Sequence, residues 1–461
     1  MPPDVLLLVC DTARADAFRP WGAPHESPTM QALCERGTMY RNAFAPAPWT
    51  VPTHASLFTG ALPTEHGITG DCFQWHDGKP TSPAEAVRAH PGPWLAETMR
   101  ERGYRTWGTS SNTWIGAWGG FDRGFDSFLD IRPWARPKGL RQALAVRARR
   151  MLGALDRGGA EAAERFGREV AGAGPQPLFA FVNLMEVHAP YNPPRPFYPF
   201  PPWRRLRTTR ISGGPDQGLS YNAGVVPPPP GYVDTIRALY RGSARYEDLI
   251  LGRFVRAVRE RDRPAIVMVV ADHGENLGER GEFNHNSSLS DHLLHVPLVV
   301  WGHRVDVAAG AVEEPVSLLG IAAWARAVAE DRVDLPAPDG AVVSEYESTI
   351  RHNGVPEEIR RMTDDRGGRR ARPLIYHPGL AVHRGRHKYV AVANGDESLY
   401  DLGDDPGEER DLASARPDLL DDFRPFRAAW EERRTRRPDY AAGDVAEGEI
   451  AEHLRELGYI E

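Results

Sequence analysis

A chain of 461 residues with 41% hydrophobic, 26% charged and 9% aromatic residues has the balance of a folded globular protein, which excludes a disordered chain. It allows one large core with a smaller appended unit, or two to three ordinary domains. A formal net charge of -7 excludes wholesale nucleic-acid binding, and the basic stretches at Arg147, Arg149 and Arg150 and at Arg204, Arg205, Arg207 and Arg210 read as solvated surface.

Residues 4–10 (DVLLLVC) form an apolar run too short to span a bilayer, flanked by Asp4 and Asp11 and preceded by no basic leader. The expectation is a buried parallel strand rather than an export signal or a membrane span. Cys10, Cys34 and Cys72 fit neither a disulfide framework nor a metal-ligand spacing, so reduced thiols in the cytoplasm are expected, with an intracellular substrate. The strand runs directly into Asp11 and Thr12, followed by Arg14 and Asp16. A carboxylate at the carboxyl end of a strand is a good ligand for a hard cation, and it is also a common cap or turn residue.

Residues 49–60 (WTVPTHASLFTG) read as a short helix, with Thr50 as N-cap, Pro52 in the first turn and Gly60 closing it. Thr50 either only caps this helix or acts as a nucleophile at the positive end of its dipole, and the residues alone leave both open. Helical patterns follow at 84–102, with Trp94, Leu95 and Met99 on one face, and at 138–155 and 158–171. A second apolar strand at 178–184 leads into Glu186 and His188. The stretch 189–232 is dominated by proline, glycine and aromatic residues, and is expected to be an irregular insertion forming one wall of the site.

A long amphipathic helix is expected at 232–260, then a third strand at 265–271 that ends in Asp272, His273 and Gly274. Adjacent Asp and His in a strand-to-loop turn can ligate one cation, with the glycine permitting a tight turn. His285, His292 and His295 follow closely, before a further apolar strand at 296–301. Beyond residue 375 short strands appear, with Asn394-Gly395 as a two-residue hairpin turn and a terminal helix near 415–435. Strands and helices alternating in this way predict an α/β fold with a doubly wound, mostly parallel sheet. The expected division is a catalytic domain over 1–374 and a small antiparallel β subdomain with a terminal helix over 375–461.

The order of these motifs resembles the sulfatase-like family of the alkaline phosphatase superfamily over nearly the whole chain. The resemblance rests on DTARAD after the first strand, PWTVPTHASLFTG, NLMEVHAPYNPP, ADHGENLGERGEFNHN followed by HVPLVV, and the closing segment from HKYVAV to GEERDL. It implies a divalent metal, Mn, Zn or Ca, held by Asp11, Asp272 and His273, with Thr12 as a further metal-binding side chain. It implies Thr50 as nucleophile, with His188 and His285 contacting the anionic ester or its leaving group. Most sulfatases carry CxPxR or SxPxR, whose Cys or Ser is oxidised to formylglycine. This chain reads TxPxH, with His54 in place of the arginine. Threonine nucleophiles occur in phosphodiesterases and phospholipid-headgroup transferases of the superfamily, and the Asp272-His273 pair, where many sulfatases have Asp-Asn, resembles phosphonate monoester and phosphodiester hydrolases.

The implied partner is a small anionic ester, with no nucleic acid and no membrane span, and a homo-oligomer is compatible. The implied activity is hydrolysis of a phosphodiester, phosphonate monoester or sulfate ester. Transfer to an alcohol, and a binding protein that has lost catalysis, are the other readings. Cys72→Ser is expected to leave metal and activity unchanged, because Cys72 lies outside these motifs.

Overall fold

Seven consecutive residues can be buried on both faces of a strand only inside a sheet covered by helices on each side. In the computed structural model, β1 (Asp4–Cys10) is buried along its whole length at such a position. The structure describes residues 2–70, 75–76, 79–132, 141, 153, 156–205, 207–208, 215–222, 226–285, 287–330, 332, 340–347, 374, 377–441 and 443–456. The expected helix over 138–155 and residue Cys72 lie outside the described residues, apart from 141 and 153.

The main sheet also contains β2 (Thr38–Phe44), β3 (Arg105–Ser110), β4 (Ser127–Asp130), β5 (Leu178–Leu184), β6 (Ala265–Val270), β7 (His295–His303), β8 (Gly310–Val312) and β9 (Val316–Ser317). Its spatial order is β8-β2-β7-β6-β1-β5-β3-β4, with β9 also paired to β2. β1 lies between β5 and β6 in parallel register, Leu8 opposite Val182 on one side and Val269 on the other. The sheet is therefore mostly parallel, as the alternation of elements requires. One apolar run departs from that pattern: β7 is antiparallel to both β6 and β2. Only the short helical turn Asp291–Leu294 separates it from the site loop, so the chain returns beside β6 without the crossover that a parallel neighbour needs.

Helices cover the sheet. They include α1 (Pro28–Arg36), α2 (Thr50–Thr59), α3 (Ala84–Ala89), α4 (Leu95–Glu101), α5 (Gly159–Gly172) and α6 (Tyr232–Glu260). The pattern over 84–102 is two helices rather than one, because Pro91 and Pro93 lack the backbone donors that a continuous helix needs. In α6 the buried positions Ile236, Leu239, Tyr240, Ser243, Glu247, Ile250, Leu251 and Phe254 form one stripe, so its apolar face is laid against the core. Within 189–232 the expectation of irregular structure holds only in part, since Pro202–Arg204 forms a 3-10 turn and Pro215–Asn222 an α-helix.

A separate antiparallel sheet orders β10 (Val342–Tyr346), β11 (Gly379–Arg384), β12 (His387–Val392) and β13 (Glu397–Asp401). Leu380, Val382, Tyr389 and Leu399 pack on the fully buried Trp430 of α7 (Arg424–Arg436). The turn at Asn394-Gly395 is longer than the expected two-residue hairpin, and joins β12 to β13 through residues 393–396. Gly395 alone takes a positive φ, +106°, while Asn394 Oδ1 accepts from the Asp396 backbone. The sheet is pinned to the main domain by Lys388, whose Nζ donates to Leu289 O at 2.6 Å, Asp291 Oδ1 at 2.6 Å and Glu408 Oε1 at 2.8 Å.

Candidate active site

Because β1 and β6 are parallel neighbours, their carboxyl ends deliver Asp11 and Asp272 to one place. One ligand atom from each of Asp11, Asp272 and His273 lies within 4.8 Å of the others, and all three residues are fully buried. Asp11 Oδ2 accepts from Asn112 Nδ2 at 2.9 Å and Asn183 Nδ2 at 3.2 Å, while Oδ1 is buried with no hydrogen-bond partner among the described residues. Asp272 Oδ1 accepts from the backbone of Thr12 at 3.1 Å and of His273 at 2.9 Å, and its Oδ2 is likewise bare. Thr12 sits at φ +62°, and its buried hydroxyl is also without a partner.

Burial pushes the Asp11 carboxyl up to about 6. Asp272 is raised well above the carboxylate range by burial and then by the charge of Asp11. Two buried carboxylates with inward-facing bare oxygens, joined by an imidazole, form a donor set suited to a divalent cation. The residues present therefore fit the group that the sequence implies.

His273 contributes the imidazole. Its Nδ1 donates to Gly274 O at 2.9 Å, which leaves the Nε2 lone pair free to ligate or accept, and Thr50 Oγ1 lies 3.1 Å from it. Burial holds this ring neutral, well below the usual histidine range. Gly274 is required by close approach rather than by a left-handed φ: a Cβ there would stand 2.0 Å from His292 O. Its backbone donates to Leu293 O at 2.7 Å, which locks the turn.

Thr50 is the first residue of α2, and the N-cap is Trp49, in extended conformation. The expected capping role thus moves back one residue, and the Thr50 hydroxyl, 3% exposed as a residue, turns towards His273 instead of its own helix. One turn on, His54 Nδ1 donates to Thr50 O at 2.9 Å and stands 3.5 Å from Asp272 Oδ2. Its ring is wedged edge-on against Phe121 and Phe181, and burial pushes its pKa down to about 4, so it remains neutral.

The other histidines divide. His285 lies against His273 with ring centroids 4.6 Å apart and the rings tilted by 40°, and His188 meets His285 at 5.2 Å. Burial alone would lower His285, but the Glu275 carboxylate, 3.2 Å from its Nδ1, outweighs this and holds it above the ordinary value. His188 Nδ1 donates to Ala189 O at 2.5 Å. His292 instead lies among Arg14, Asp16 and Glu279, and His295 donates to Arg41 O at 2.6 Å.

Glu186, which follows the second apolar strand together with His188, points elsewhere. Its carboxylate accepts from the backbone of Arg157 and Gly159 at the start of α5. Burial, with Asp156 adding to it, pushes it up to about 8. Sequence reasoning assigned no role to Asn112, Asn183, Glu275 or Tyr191. Asn112 and Asn183 could have been found by asking which polar side chains end the strands beside β1, since β5 is its direct partner and β3 the next strand.

A family model described as Sulfatase matches residues 3–325 of the chain. Arylsulfatase K of Danio rerio is 26% identical over 200 residues, which are 41% of this chain and 36% of that relative. The match thus spans little more than a third of the relative's length. Among solved structures, a phosphonate monoester hydrolase from Silicibacter pomeroyi superposes with a TM-score of 0.68 at 19% identity, over 95% of this chain and 96% of that one. A 2-O GAG sulfatase gives 0.64 at 16% identity, over 98% and 100%. At these identities the likeness is one of fold.

Proposed function

The chain belongs to the sulfatase family, a family of ester-hydrolysing enzymes, and from that premise we propose that it is a metal-dependent hydrolase of a phosphodiester, phosphonate monoester or sulfate ester, with Thr50 as nucleophile. One observation carries this reading. The Thr50 hydroxyl stands 3.1 Å from His273 Nε2 at the start of α2, beside the bare oxygens of Asp11 and Asp272.

A divalent cation, Mn, Zn or Ca, held by Asp11, Asp272 and His273 with Thr12 alongside, would acidify the hydroxyl and offset charge on the ester. Thr50 Oγ1, its proton released to solvent, attacks phosphorus or sulfur in line, and the bond to the alcohol breaks with its electron pair leaving on oxygen. The positive end of α2, together with His188, stabilises charge on the remaining oxygens. His285 gives its proton to the departing oxygen, a step worth ~10²–10⁴-fold in rate. Water then cleaves the Thr50 ester at phosphorus or sulfur. His54 acts from below, holding the first turn of α2 through Thr50 O rather than exchanging a proton.

A threonine ester is released only by attack at the central atom, and the one cluster of possible metal ligands among the described residues offsets only part of a dianion's charge. The partial offset favours a singly charged phosphodiester or phosphonate monoester over a dianionic phosphate monoester, and the need for attack at the central atom favours phosphorus over the matching sulfate. The cysteine pattern favours an intracellular substrate, and no described helix is long and apolar enough to cross a membrane.

The test is an activity panel of aryl sulfate, phosphate monoester, phosphodiester and phosphonate monoester with added Mn²⁺, Zn²⁺ or Ca²⁺, alongside Thr50→Ala. Turnover of the diester or phosphonate above the sulfate, abolished in Thr50→Ala, is expected. Faster sulfate turnover that depends equally on unmodified Thr50 would overturn the phosphoryl preference. Activity that survives Thr50→Ala would overturn the nucleophile.

A further inference from the structure

Glu275 is fully buried, two residues beyond His273, yet it is not one of the three residues of the ligand cluster. Both of its oxygens are engaged: Oε1 lies 3.2 Å from His285 Nδ1, and Oε2 accepts from Tyr191 OH at 2.9 Å. A carboxylate held at both oxygens in this way is not placed to ligate a cation. It is placed to fix a ring. A bond at Nδ1 determines which tautomer the imidazole adopts and leaves Nε2 as the nitrogen that can reach a ligand.

Tyr191 is itself fixed. It is 2% exposed, and its ring meets Tyr240 edge to face at 5.5 Å. Tyr240 OH in turn donates to Thr12 O at 2.8 Å and accepts from Arg14 N at 2.9 Å. A continuous chain of contacts thus runs from the loop after β1, through Tyr240, Tyr191 and Glu275, to His285.

We propose that Glu275, held in place by Tyr191 of the proline-rich segment, is the positioning residue that aims Nε2 of His285 at the departing oxygen of the ester. The arrangement has the logic of a nucleophile-and-base pair oriented by a third group, applied here to the group that protonates the alcohol. As the bond between phosphorus or sulfur and the alcohol oxygen breaks, its electron pair goes to that oxygen and the His285 proton follows; the water that later attacks restores it. The role rests on the reading of His285 given above.

A misaimed acid matters only where the leaving group needs protonation. The test is therefore a series of esters of whichever class the panel turns over, with 4-nitrophenyl, phenyl and alkyl leaving groups. It is run on the full-length protein and on Glu275→Gln, Tyr191→Phe and His285→Ala, with metal content and melting temperature measured for each. Glu275→Gln is expected to lose least with the 4-nitrophenyl ester and roughly 10–100-fold with the alkyl ester. Tyr191→Phe should follow in the same direction at roughly 3–10-fold, and both should retain metal.

If His285→Ala steepens the dependence on leaving group while Glu275→Gln lowers every ester equally or none, the positioning role is overturned and the acid stands. A His285→Ala profile as flat as that of the unmodified protein overturns the acid and the positioning role together. Loss of metal in Glu275→Gln would assign Glu275 to the ligand shell instead, also against the proposal.

Discussion

Asp11 shows how one side chain can be half satisfied by design. Asn112 and Asn183 hold Oδ2, which turns the bare Oδ1 towards Asp272 and His273. Outer partners of this kind orient ligands, and losing one costs about 10–100-fold in metal affinity. Asn112→Ala and Asn183→Ala are each expected to weaken metal binding by that order, read by titration with Mn²⁺ or Zn²⁺ while the fold is followed by circular dichroism. Asp272→Ala and His273→Ala each remove a proposed ligand, so metal and activity should disappear together; activity without metal in either variant would refute the cluster. Thr50 is a secondary alcohol and is expected to stay unmodified. Intact-peptide mass spectrometry decides this, a mass change indicating oxidation at Thr50 being the contrary result.

At the scale of elements, the decisive feature is the turn from β6 into the loop that carries His273. Gly274 N donates to Leu293 O and Glu275 N donates to His292 O, so the loop is laced to the segment that begins β7. A methyl group at Gly274 would stand 2.0 Å from the His292 carbonyl, which is backbone and cannot swing aside. Gly274→Ala is therefore expected to cost about 1–3 kcal/mol and to displace His273 from Thr50. Denaturant melts measure the first effect and metal affinity the second. An alanine variant with unchanged stability and metal binding would show that this turn is more yielding than its geometry indicates.

Across the whole molecule, the four-stranded antiparallel sheet is held against the segment before β7 by a buried ionic knot. Lys388 joins Asp291 and Glu408, and His383 Nε2 meets Asp291 Oδ1 at 2.8 Å. Burial would raise Asp291, but Lys388 and His383 outweigh it and hold it well below the carboxylate range. Stability from Asp291 is thus present above its unfolded pKa, about 4, and is lost as pH falls further. Burial lowers His383, so below about pH 6.5 the unfolded chain takes up a proton that the folded site refuses, and stability again falls with pH. Lys388 is the opposite case: its partners raise it against burial, and its contribution is complete below about pH 10.5 and lost above.

The knot therefore stabilises the molecule between about pH 6.5 and 10.5 and weakens on the acid side first. Lys388→Met removes the buried cation shared by Asp291 and Glu408, leaving Asp291 with His383 and Glu408 with Arg280. It is expected to cost about 3–5 kcal/mol at neutral pH, with a smaller difference from the parent in acid. Thermal melts from pH 4 to 9 test both statements, and parallel curves for parent and variant would contradict them.

The amino-acid sequence alone indicated a mostly parallel sheet, Asp11 and the Asp272-His273 pair at the ends of buried strands, and a short helix near Thr50, although its N-cap is Trp49 and not Thr50 as expected. Each follows from local chemistry: unbroken apolar runs, a glycine after the last polar residue, and a proline tolerated in a first turn. It also carried the family through the order of its motifs. What it could not carry was direction and partner. Glu186 and His188 stand two apart in one turn and face different places, and residues 296–301 form an antiparallel strand because of how the chain returns, which their own composition does not encode. Glu275 was legible only as a letter in the loop; its pairing with Tyr191 and His285, residues 84 and 10 positions away, exists only once the sheet has brought three separate segments together. Periodicity and capping act over one or two turns of chain, whereas the orientation of a buried polar side chain is decided by whichever distant group satisfies it, and only the tertiary structure supplies that group.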